Sequence, residues 1–485
     1  MLTAIVFLPA VGGAVIALLA RNDRQVRYMA LAVTLAVLVL SLIVWATIDL
    51  GERDPQWVQR YQWISAFNVQ YFLGVDGLSA PLLGLTGLLG VAAVLVSWGV
   101  KQRAREFFFW LLILQTGITG VFVSLDLLLF FLFWEVELIP MYLLISIWGS
   151  GRKEYSAMKF LLYTMGSSAL MLTAILVLFF SAGTFDMIEL RDTPFTTVLI
   201  TAPGVFFLLL AAFAVKLPVW PFHTWLPDAH TDAPTAASVM LAGVMLKMGG
   251  YGIFRLCISF FPQVARDYSD LIVGLAVVNI LYGAVMVFRQ RDLKRLIAYS
   301  SISHMGFVLL GVAAMNQVGL TGAAMQMFTH GTITGLLFIV AGLVYEKAHT
   351  RHIPDLGGLA ARMPVLTIGF MIAGLAALGL PSMSGFVSEI LVFFGAYEVY
   401  RTPTILAIFG VLLSAGYILW TAQQVFFGPE KPRFATIGDV SLIEAAPLAG
   451  MIAAIMIVGI YPAFVTDFFN AGIAPLVDLL GAGGG

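Results

Sequence analysis

Four ionisable residues interrupt long apolar segments of the sequence: Glu135 in FLFWEVELIPMYLLISIWG, Lys216 in FAVKLPVWPF, Lys247 in VMLAGVMLKMGGYGIF and Glu389 in GLPSMSGFVSEI. A charged side chain at the middle of a bilayer costs about 2.5–3.5 kcal/mol, so such residues usually face the protein interior and act on ions. Desolvation lowers the pKa of a buried lysine and a neighbouring carboxylate raises it, so separating the two releases a proton. The four residues therefore predict proton translocation, although each lysine could instead snorkel or form a structural pair.

Two histidines, His304 in KRLIAYSSISHMG and His330 in MQMFTHGTITG, also lie in apolar segments. Neutral imidazoles there can pass protons along a hydrogen-bonded chain, and a structural hydrogen bond to a backbone carbonyl is the alternative. His223 and His230 are seven residues apart, so a helix would place them on one face beside Asp228. This spacing is weak for a metal site, and we interpret it as a wet connection to the cytoplasm. No metal site is expected.

Several further charged residues have simpler interpretations. Glu137 is two residues from Glu135, about 200° away on a helix, so one of the two is expected to contact a neighbouring helix or subunit. Lys159 lies close to the end of an apolar run and could snorkel. Asp76 and Asp126 precede apolar runs, where a carboxylate meets the positive end of a helix dipole, so we expect both to cap helices.

The composition is that of a polytopic membrane protein. Of the 485 residues, 60% are apolar and 11% are charged, with a mean hydropathy of +0.96, whereas soluble domains have about 45–50% and about 25%. The net charge of -1 gives no indication of nucleic-acid binding. The single cysteine, Cys257, excludes an intramolecular disulfide and every multi-cysteine metal or iron–sulfur site. We therefore expect no cofactor in this chain, and any redox chemistry must occur elsewhere.

Fourteen apolar runs separated by short charged loops predict an all-α fold with fourteen transmembrane helices. The predicted spans are 3–20, 28–48, 77–99, 107–124, 127–148, 157–181, 203–217, 234–257, 268–288, 293–314, 318–345, 364–396, 403–427 and 441–470. No basic residue precedes Arg21, so the first run is interpreted as a retained helix rather than a signal peptide. Segment 49–72 is rich in aromatic residues and is expected to lie along the membrane interface as irregular or hairpin structure.

Lysine and arginine are distributed unequally between the predicted loops. Loops after odd-numbered spans contain seventeen of the 26 basic residues, and loops after even-numbered spans contain six. The remaining three, Lys159, Lys216 and Lys247, lie inside predicted helices. Because cytoplasmic loops are enriched in basic residues, the odd-numbered loops are expected in the cytoplasm and both termini outside.

Two of the predicted helices contain residues that interrupt a helix. Segment 216–238 carries four prolines, each of which removes a backbone donor, and segment 379–390 reads GLPSMSGFVSEI. The interruptions fall in spans 7 and 12, five spans apart, which indicates two inverted five-helix repeats, spans 4–8 and spans 9–13, with an ion path at the breaks. The predicted regions are 1–106 with spans 1–3 and the interfacial segment, 107–257 with the first repeat, 258–428 with the second repeat, and 429–485 with a cytoplasmic loop, span 14 and a tail.

Six motifs closely resemble the family of antiporter-like subunit M of bacterial complex I, called chain 4 in mitochondria and plastids. They are LGVDGLS, FWEVELIPMYLL, VKLPVWPFHTWLPDAHTDAPT, LKMGGYG, KRLIAYSSISHMG and GLPSMSGFVSE, and the resemblance covers nearly the whole chain. It implies a proton-translocating membrane subunit of a respiratory-chain complex that transfers electrons from NADH or a related donor to quinone elsewhere. The parent complex would contain FMN, iron–sulfur clusters and quinone. The partners would be L- and N-type antiporter-like subunits and small helical subunits.

The resemblance also implies roles for individual residues. It implies a proton relay through six of them, namely Glu135 paired with Lys216, Lys247 at the centre, His304 and His330 as bridges, and Glu389 as the terminal carboxylate. The family usually has no charge at the position of Glu137, and this additional acid resembles the plastid and cyanobacterial branch. The electron donor, NADH or ferredoxin, is therefore left open.

Two other functions compete with this interpretation. A subunit of a multi-subunit cation (Na⁺)/proton antiporter would need no electron donor, but such subunits, like the L and N subunits of complex I, typically carry lysine where this sequence has Glu389. A purely structural membrane spacer is disfavoured by the lysines within apolar segments. The expected location is the bacterial cytoplasmic (inner) membrane, with a thylakoid-type membrane as the alternative.

Overall fold

The chain folds into a helical bundle with one β-hairpin, and the computed structural model describes residues 1–192 and 200–482. The helices of the first half are α1 (Leu2–Leu19), α2 (Asp23–Ala46), α3 (Ser79–Val96), α4 (Ala104–Val123), α5 (Leu127–Val136), α6 (Leu138–Trp148), α7 (Lys153–Ala182), α8 (Met187–Asp192), α9 (Ala202–Lys216), α10 (Trp225–Asp232), α11 (Thr235–Met240) and α12 (Leu246–Gly252). Two π-helical turns, Leu241–Met245 and Ile253–Ile258, flank α12 and make one continuous span with it and α11.

The second half continues in the same way. Its helices are α13 (Pro262–Asp267), α14 (Ser269–Val287), α15 (Leu293–Ala313), α16 (Gln317–Ala348), α17 (Pro364–Ala377), α18 (Ser384–Val399), α19 (Arg401–Val425), α20 (Leu442–Ile460) and α21 (Ala463–Ala482). Single 3-10 turns lie at Ser65–Phe67, Ile353–Asp355, Leu359–Ala361 and Pro432–Phe434.

Most of the described helices are suited to a membrane. Thirteen of those in the described ranges are long and apolar enough to cross one, and α9 and α17 are shorter apolar helices. Helices suit this environment because they satisfy their own backbone polar groups where lipid offers no partner. Predicted spans 1–11 and 13 each coincide with one of these elements, and span 12 covers α17 together with α18, so the prediction of an all-helical polytopic protein is confirmed.

The last predicted span, 441–470, is wrong as a single helix. α20 ends at Ile460, and a separate helix, α21, begins at Ala463. Pro462 causes the break, because a residue that precedes proline is disfavoured in the helical conformation, and Tyr461 is non-helical with φ −128° and ψ 75°. The region predicted as a tail is thus mostly helical in its described part.

Both predicted interruptions are confirmed. α9 ends at Lys216 and α10 begins at Trp225, and the intervening residues include Pro218 and Pro221, which lack backbone donors. α17 ends at Ala377 and α18 begins at Ser384. Each interruption leaves backbone outside helical hydrogen bonding next to a charged side chain.

The predicted interfacial segment forms an antiparallel hairpin of β1 (Gln56–Ile64) and β2 (Val69–Val75), which confirms the hairpin alternative. We call the end of the bundle that carries it the hairpin end. Helix α21 lies at this end, because Phe464 and Phe468 contact Trp45 at the end of α2, with ring centroids 5.1 Å and 5.9 Å apart.

The two predicted capping aspartates lie at the hairpin end. Asp126 Oδ1 accepts hydrogen bonds from the backbone nitrogens of Leu128 and Leu129 at the start of α5. Asp76 Oδ1 accepts bonds from Leu78 and Ser79 at the start of α3. Both capping predictions are confirmed. Burial raises the pKa of Asp126 to about 6.

Candidate functional site

Lys216 forms the ion pair that the sequence predicts, but its carboxylate partner is Glu137 rather than Glu135. Lys216 Nζ donates to Glu137 Oε1, and both side chains are fully buried. The ammonium also lies 5.2 Å and 5.8 Å from the ring centroids of Trp134 and Phe160, whose faces stabilise a cation. The assignment of the pair to Glu135 is therefore wrong.

Glu137 lies at a short interruption between α5 and α6. Pro140 has no N–H to donate to the carbonyl oxygen of Val136, so the regular helix stops at Glu137 and restarts at Leu138. Helix α4 approaches the break closely, since a Cβ atom on Gly117 would lie 2.8 Å from the Glu137 backbone nitrogen. The assignment to Glu135 came from the resemblance, and helical spacing only places Glu135 and Glu137 about 200° apart. Glu137 itself keeps a right-handed helical conformation, with φ −74° and ψ −21°.

Glu135 lies on a different side of α5 and is partly exposed. Leu132, three residues earlier, and Val136, next to it, are 37% and 38% exposed. Within the described part of the chain, Glu135 Oε1 is buried and has no hydrogen-bond partner. A buried carboxylate oxygen is costly unless it is paired, so this position favours a polar partner outside the chain.

Lys247 is fully buried between the two π turns. Its Nζ donates to the carbonyl oxygen of Ala242 and lies 2.7 Å from His330 Nδ1 on α16. Helix α12 packs directly on the end of α9, since a Cβ atom on Gly249 would lie 2.7 Å from the Leu217 backbone nitrogen. The two buried lysines are therefore carried by helices in direct contact.

Two histidines connect Lys247 with Glu389. The ring centroids of His330 and His304 are 5.7 Å apart, and His304 Nδ1 lies 3.5 Å from Glu389 Oε1. All three side chains are buried. They border a small cavity of about 10 Å³, which is about the space that one bridging water molecule needs. Lys247, His330, His304 and Glu389 thus form one continuous row across α12, α16, α15 and α18.

The second helix interruption makes space for Glu389. Gly379, in the interruption, has φ +75°, a conformation that side chains rarely adopt. A Cβ atom there would lie 2.6 Å from Glu389 Oε2. The carboxylate therefore occupies the volume that any other residue at position 379 would need.

Sequence reasoning missed a group of neutral polar side chains beside this row. Ser388 Oγ donates to Gln326 Oε1 at 2.5 Å and lies 2.9 Å from Thr329 Oγ1. Gln326 Nε2 lies 3.5 Å from His304 Nδ1. Gln326 precedes His330 by four residues, so helical spacing from a predicted site residue was the signal that could have found it.

The prediction that His223 and His230 share one face of a half-helix is wrong. Helix α10 begins at Trp225, so His223 lies in the irregular connection before it. His223 packs on Tyr282 of α14, with ring centroids 5.0 Å apart, and His230 stacks on Phe338 of α16 at 4.4 Å. Both histidines are buried, and neither ring nitrogen of either has a hydrogen-bond partner among the described residues.

Asp228 holds α10 in place between the two halves of the chain. Its carboxylate pairs with Lys159 of α7 at 2.7 Å and with Arg295 of α15 at 3.0 Å. Lys159 therefore forms an ion pair, and of the two roles open to it in the sequence the structure shows the paired one rather than snorkelling. The half-helix that carries His230 is tied to helices on both sides.

The arrangement contains the parts that proton transfer requires: a buried ion pair, a second buried lysine and a row of imidazoles that ends at a carboxylate. Within residues 1–192 and 200–482, no group of three or more His, Cys, Asp or Glu side chains could hold a metal ion. The fold and the site are those of an antiporter-like membrane subunit that moves protons or other small cations.

Comparisons with known proteins narrow this class. The family profile described as NADH:quinone oxidoreductase/Mrp antiporter matches residues 124–414. NADH-quinone oxidoreductase subunit M of Rhodobacter capsulatus is 42% identical over 99% of this chain and 96% of its own length. NAD(P)H-quinone oxidoreductase chain 4 of Gloeobacter violaceus is 39% identical over 99% of this chain and 92% of its own length.

A solved structure agrees with the sequence relatives. A chain of respiratory complex I from Thermus thermophilus, determined with bound NADH, superposes with a TM-score of 0.91 and 30% identity, covering 99% of this chain and 100% of that one. The chain belongs to the family of antiporter-like membrane subunits of complex I, the NADH:quinone oxidoreductases, which includes subunit M and chain 4. The resemblance carried by the six sequence motifs is confirmed.

Proposed function

We propose that this chain translocates protons across the membrane, driven by electron transfer in other subunits of its complex. The observation that carries the proposal is the buried row from Lys247 through His330 and His304 to Glu389. Each of these four titratable groups costs free energy to desolvate. A purely structural role would not require four of them side by side at a buried site.

The ion pair of Glu137 and Lys216 acts as the switch in this proposal. While the carboxylate contacts the ammonium, the lysine holds its proton; when the carboxylate moves away, the lysine releases it. The proton passes to Lys247 on the adjoining helix. Lys247 then transfers it through the two imidazoles to Glu389, the terminal carboxylate before release.

Uptake from the cytoplasm takes place on the other side of the switch. His230 and His223 are buried on either side of the α10 start and have free ring nitrogens in the described structure. We assign them to a water-assisted uptake path that leads to the buried lysines. Asp228 keeps α10 in position through its bonds to Lys159 and Arg295.

Glu135 contributes to an interface in this proposal. Its side chain is partly exposed and adjoins Leu132 and Val136, which face the outside of the bundle. An adjoining membrane subunit supplies its partner, as an L- or N-type antiporter-like subunit or a small helical subunit of the complex would. FMN, iron–sulfur clusters and the quinone site reside in other subunits, because one cysteine, Cys257, cannot ligate a cluster.

The proposed topology has fourteen membrane spans, of which α20 is the last, with spans 4–8 and 9–13 as inverted repeats. Helix α21 stays at the hairpin end without crossing the membrane, so both termini lie outside the cytoplasm. This topology is supported by the seventeen basic residues in loops after odd-numbered spans against six in the others. The hairpin end then faces outward. The bacterial cytoplasmic membrane is the proposed location, since the relative in Rhodobacter capsulatus is bacterial.

The proposal is tested by separating pumping from electron transfer in the native complex. Lys247→Met should nearly abolish NADH-driven proton uptake into inverted membrane vesicles, because the central carrier is lost, while electron transfer to an artificial acceptor continues. Lys101→Met, at an exposed loop position, is the matched control and should pump normally. Normal pumping by an assembled Lys247→Met complex would overturn the proposal.

A cation/proton antiporter subunit is the second candidate, favoured by the matching family profile, whose description includes the Mrp antiporter. The carboxylate of Glu389 distinguishes the two, because antiporter subunits are expected to carry lysine there. Pumping that requires Na⁺ and proceeds without any electron donor would favour this second function.

A further inference from the structure

A second row of polar side chains leaves Lys247 in a different direction from the histidines. Tyr251 and Arg255 follow Lys247 at intervals of four residues along the same span, so the row covers about 12 Å at about 1.5 Å per residue. Arg255 forms an ion pair with Asp76, the residue that follows β2. The row therefore points from the central lysine toward the hairpin end.

The outer end of this row is reached by solvent. A cavity of about 40 Å³ lies between the connection before β1, the start of α3 and helix α21. Arg255 and Asp76 line its inner part, and the exposed side chains of Glu52 and Arg53 line its mouth. Water from the hairpin side can therefore approach to within two helical turns of Lys247.

The hydrogen bonds of the row run in one direction and end on a backbone group. Arg255 Nε donates to Tyr251 Oη at 3.0 Å, and Tyr251 Oη donates to the carbonyl oxygen of Phe122 at 3.0 Å. A proton wire needs members that both accept and donate, but a guanidinium only donates and keeps its charge, and a peptide carbonyl only accepts. The bonds therefore cannot relay a proton from the cavity to Lys247.

Lys247 itself is turned away from this row. Its ammonium donates to the carbonyl oxygen of Ala242 and adjoins His330, and Tyr251 is only 1% exposed. A proton that approached from the cavity would meet the ion pair of Asp76 and Arg255 first, and beyond the carboxylate the guanidinium, which is bonded to Tyr251, would repel it where water is scarce. Arginine side chains exclude protons and cations from other membrane pores in this way.

We propose that Arg255, backed by Tyr251, is an electrostatic seal that closes the direct route between Lys247 and the hairpin side. Protons on Lys247 then leave only through the histidines toward Glu389, and the proton gradient cannot discharge through the shorter route. This inference rests on the proposed function, because a seal matters only if Lys247 carries protons. Asp76 stabilises the guanidinium and caps α3, but it is the positive charge that blocks protons.

The test uses the whole complex reconstituted into liposomes, with passive proton flux measured by an internal pH-sensitive dye under an imposed potential and without NADH. Arg255→Gln should raise the rate of the proton leak by at least about tenfold, because it removes the barrier that the positive charge presents to protons. A tenfold change in rate corresponds to about 1.4 kcal/mol of that barrier. Arg255→Lys keeps a positive charge and should stay as tight as the wild type. Asp76→Asn breaks the same ion pair but leaves the guanidinium, so it should also stay tight.

A double variant shows which path leaks. Arg255→Gln combined with Lys247→Met should return the leak to the wild-type rate, because the path loses its inner carrier. Tyr251→Phe provides a second test that preserves the ring and should remain tight, since the arginine charge is still present. If Arg255→Gln does not assemble, a leaky Tyr251→Phe complex would still overturn the assignment of the seal to charge.

Three results would overturn the inference: an assembled Arg255→Gln complex as tight as the wild type, an equal leak in Asp76→Asn, or a leak that persists in the double variant. These outcomes differ from failure of the proposed function, which would appear as normal NADH-driven pumping by Lys247→Met alone. The passive leak and the driven pumping are measured on the same liposomes.

Discussion

The sharpest prediction concerns Glu137, which pairs with Lys216 in the structure although Glu135 was the expected partner. Glu137→Gln keeps the size and hydrogen-bonding capacity of the side chain but removes the charge that faces the buried ammonium. A buried charge left without its partner costs about 3–5 kcal/mol, so the lysine should lose its proton instead. Glu137→Gln should therefore nearly abolish proton pumping.

The attraction between the two charges of the ion pair is large enough to drive the transfer of one proton. Opposite unit charges about 4 Å apart attract by about 4 kcal/mol at an effective dielectric constant of about 20. Lifting one proton against a proton-motive force of about 150 mV takes about 3.5 kcal/mol, at about 2.3 kcal/mol for each 100 mV. Making and breaking the contact between Glu137 and Lys216 can therefore account for the transfer of one proton per cycle.

Inverted membrane vesicles with a pH-sensitive dye measure the pumping, and NADH oxidation by an artificial acceptor reports assembly. Glu135→Gln is the matched control, because it removes a carboxylate two residues away that does not contact the lysine. It should pump much better than Glu137→Gln. The reasoning is refuted if assembled Glu137→Gln vesicles pump normally, or if the two variants lose pumping equally.

Three further predictions concern the topology and the two interruptions. In a Cys257→Ser background, Arg291→Cys should react with a membrane-impermeant thiol reagent only from the cytoplasmic side and Glu52→Cys only from the opposite side; the reverse pattern would invert the proposed orientation. Gly379→Ala should impair pumping as severely as Glu389→Gln, because its Cβ atom would displace the carboxylate and its φ of +75° would strain alanine; pumping at the wild-type rate would show that the carboxylate position is not critical. Asp228→Asn should destabilise the complex by about 1.5–3 kcal/mol by weakening two charge-assisted bonds, seen as faster thermal inactivation, whereas Asp355→Asn, on an exposed loop, should leave the inactivation rate unchanged.

The sequence predicted those parts of the fold that local chemistry decides. Apolar runs located the helices, and the prolines and glycines of segments 216–238 and 379–390 located both interruptions. The missed separation of α20 and α21 also had a local signal, Pro462, which lies in an otherwise apolar run. Such signals act through the residue itself and its immediate neighbours.

Which carboxylate pairs with Lys216 depends on the packing of several residues rather than on one local signal. Pro140 removes the backbone donor that would bond to Val136, and Gly117 of α4 packs closely against Glu137 at the interruption. Helical periodicity places Glu135 and Glu137 about 200° apart without deciding between them, and it was the resemblance that favoured Glu135. Likewise, the position of His223 depends on where α10 begins, which four nearby prolines left undetermined.

The two π turns on either side of Lys247 determine where this span can change its length. A π turn accommodates one residue more than the α-helical turn that it replaces. Deletion of one residue from Leu241–Met245 would therefore convert that turn into ordinary helix while both flanking segments keep their orientation. The same deletion within Leu246–Gly252 would rotate one end of the span by about 100° relative to the other. Each π turn can thus lose one residue without rotating the rest of the span, while the seven residues between the two turns must keep their number.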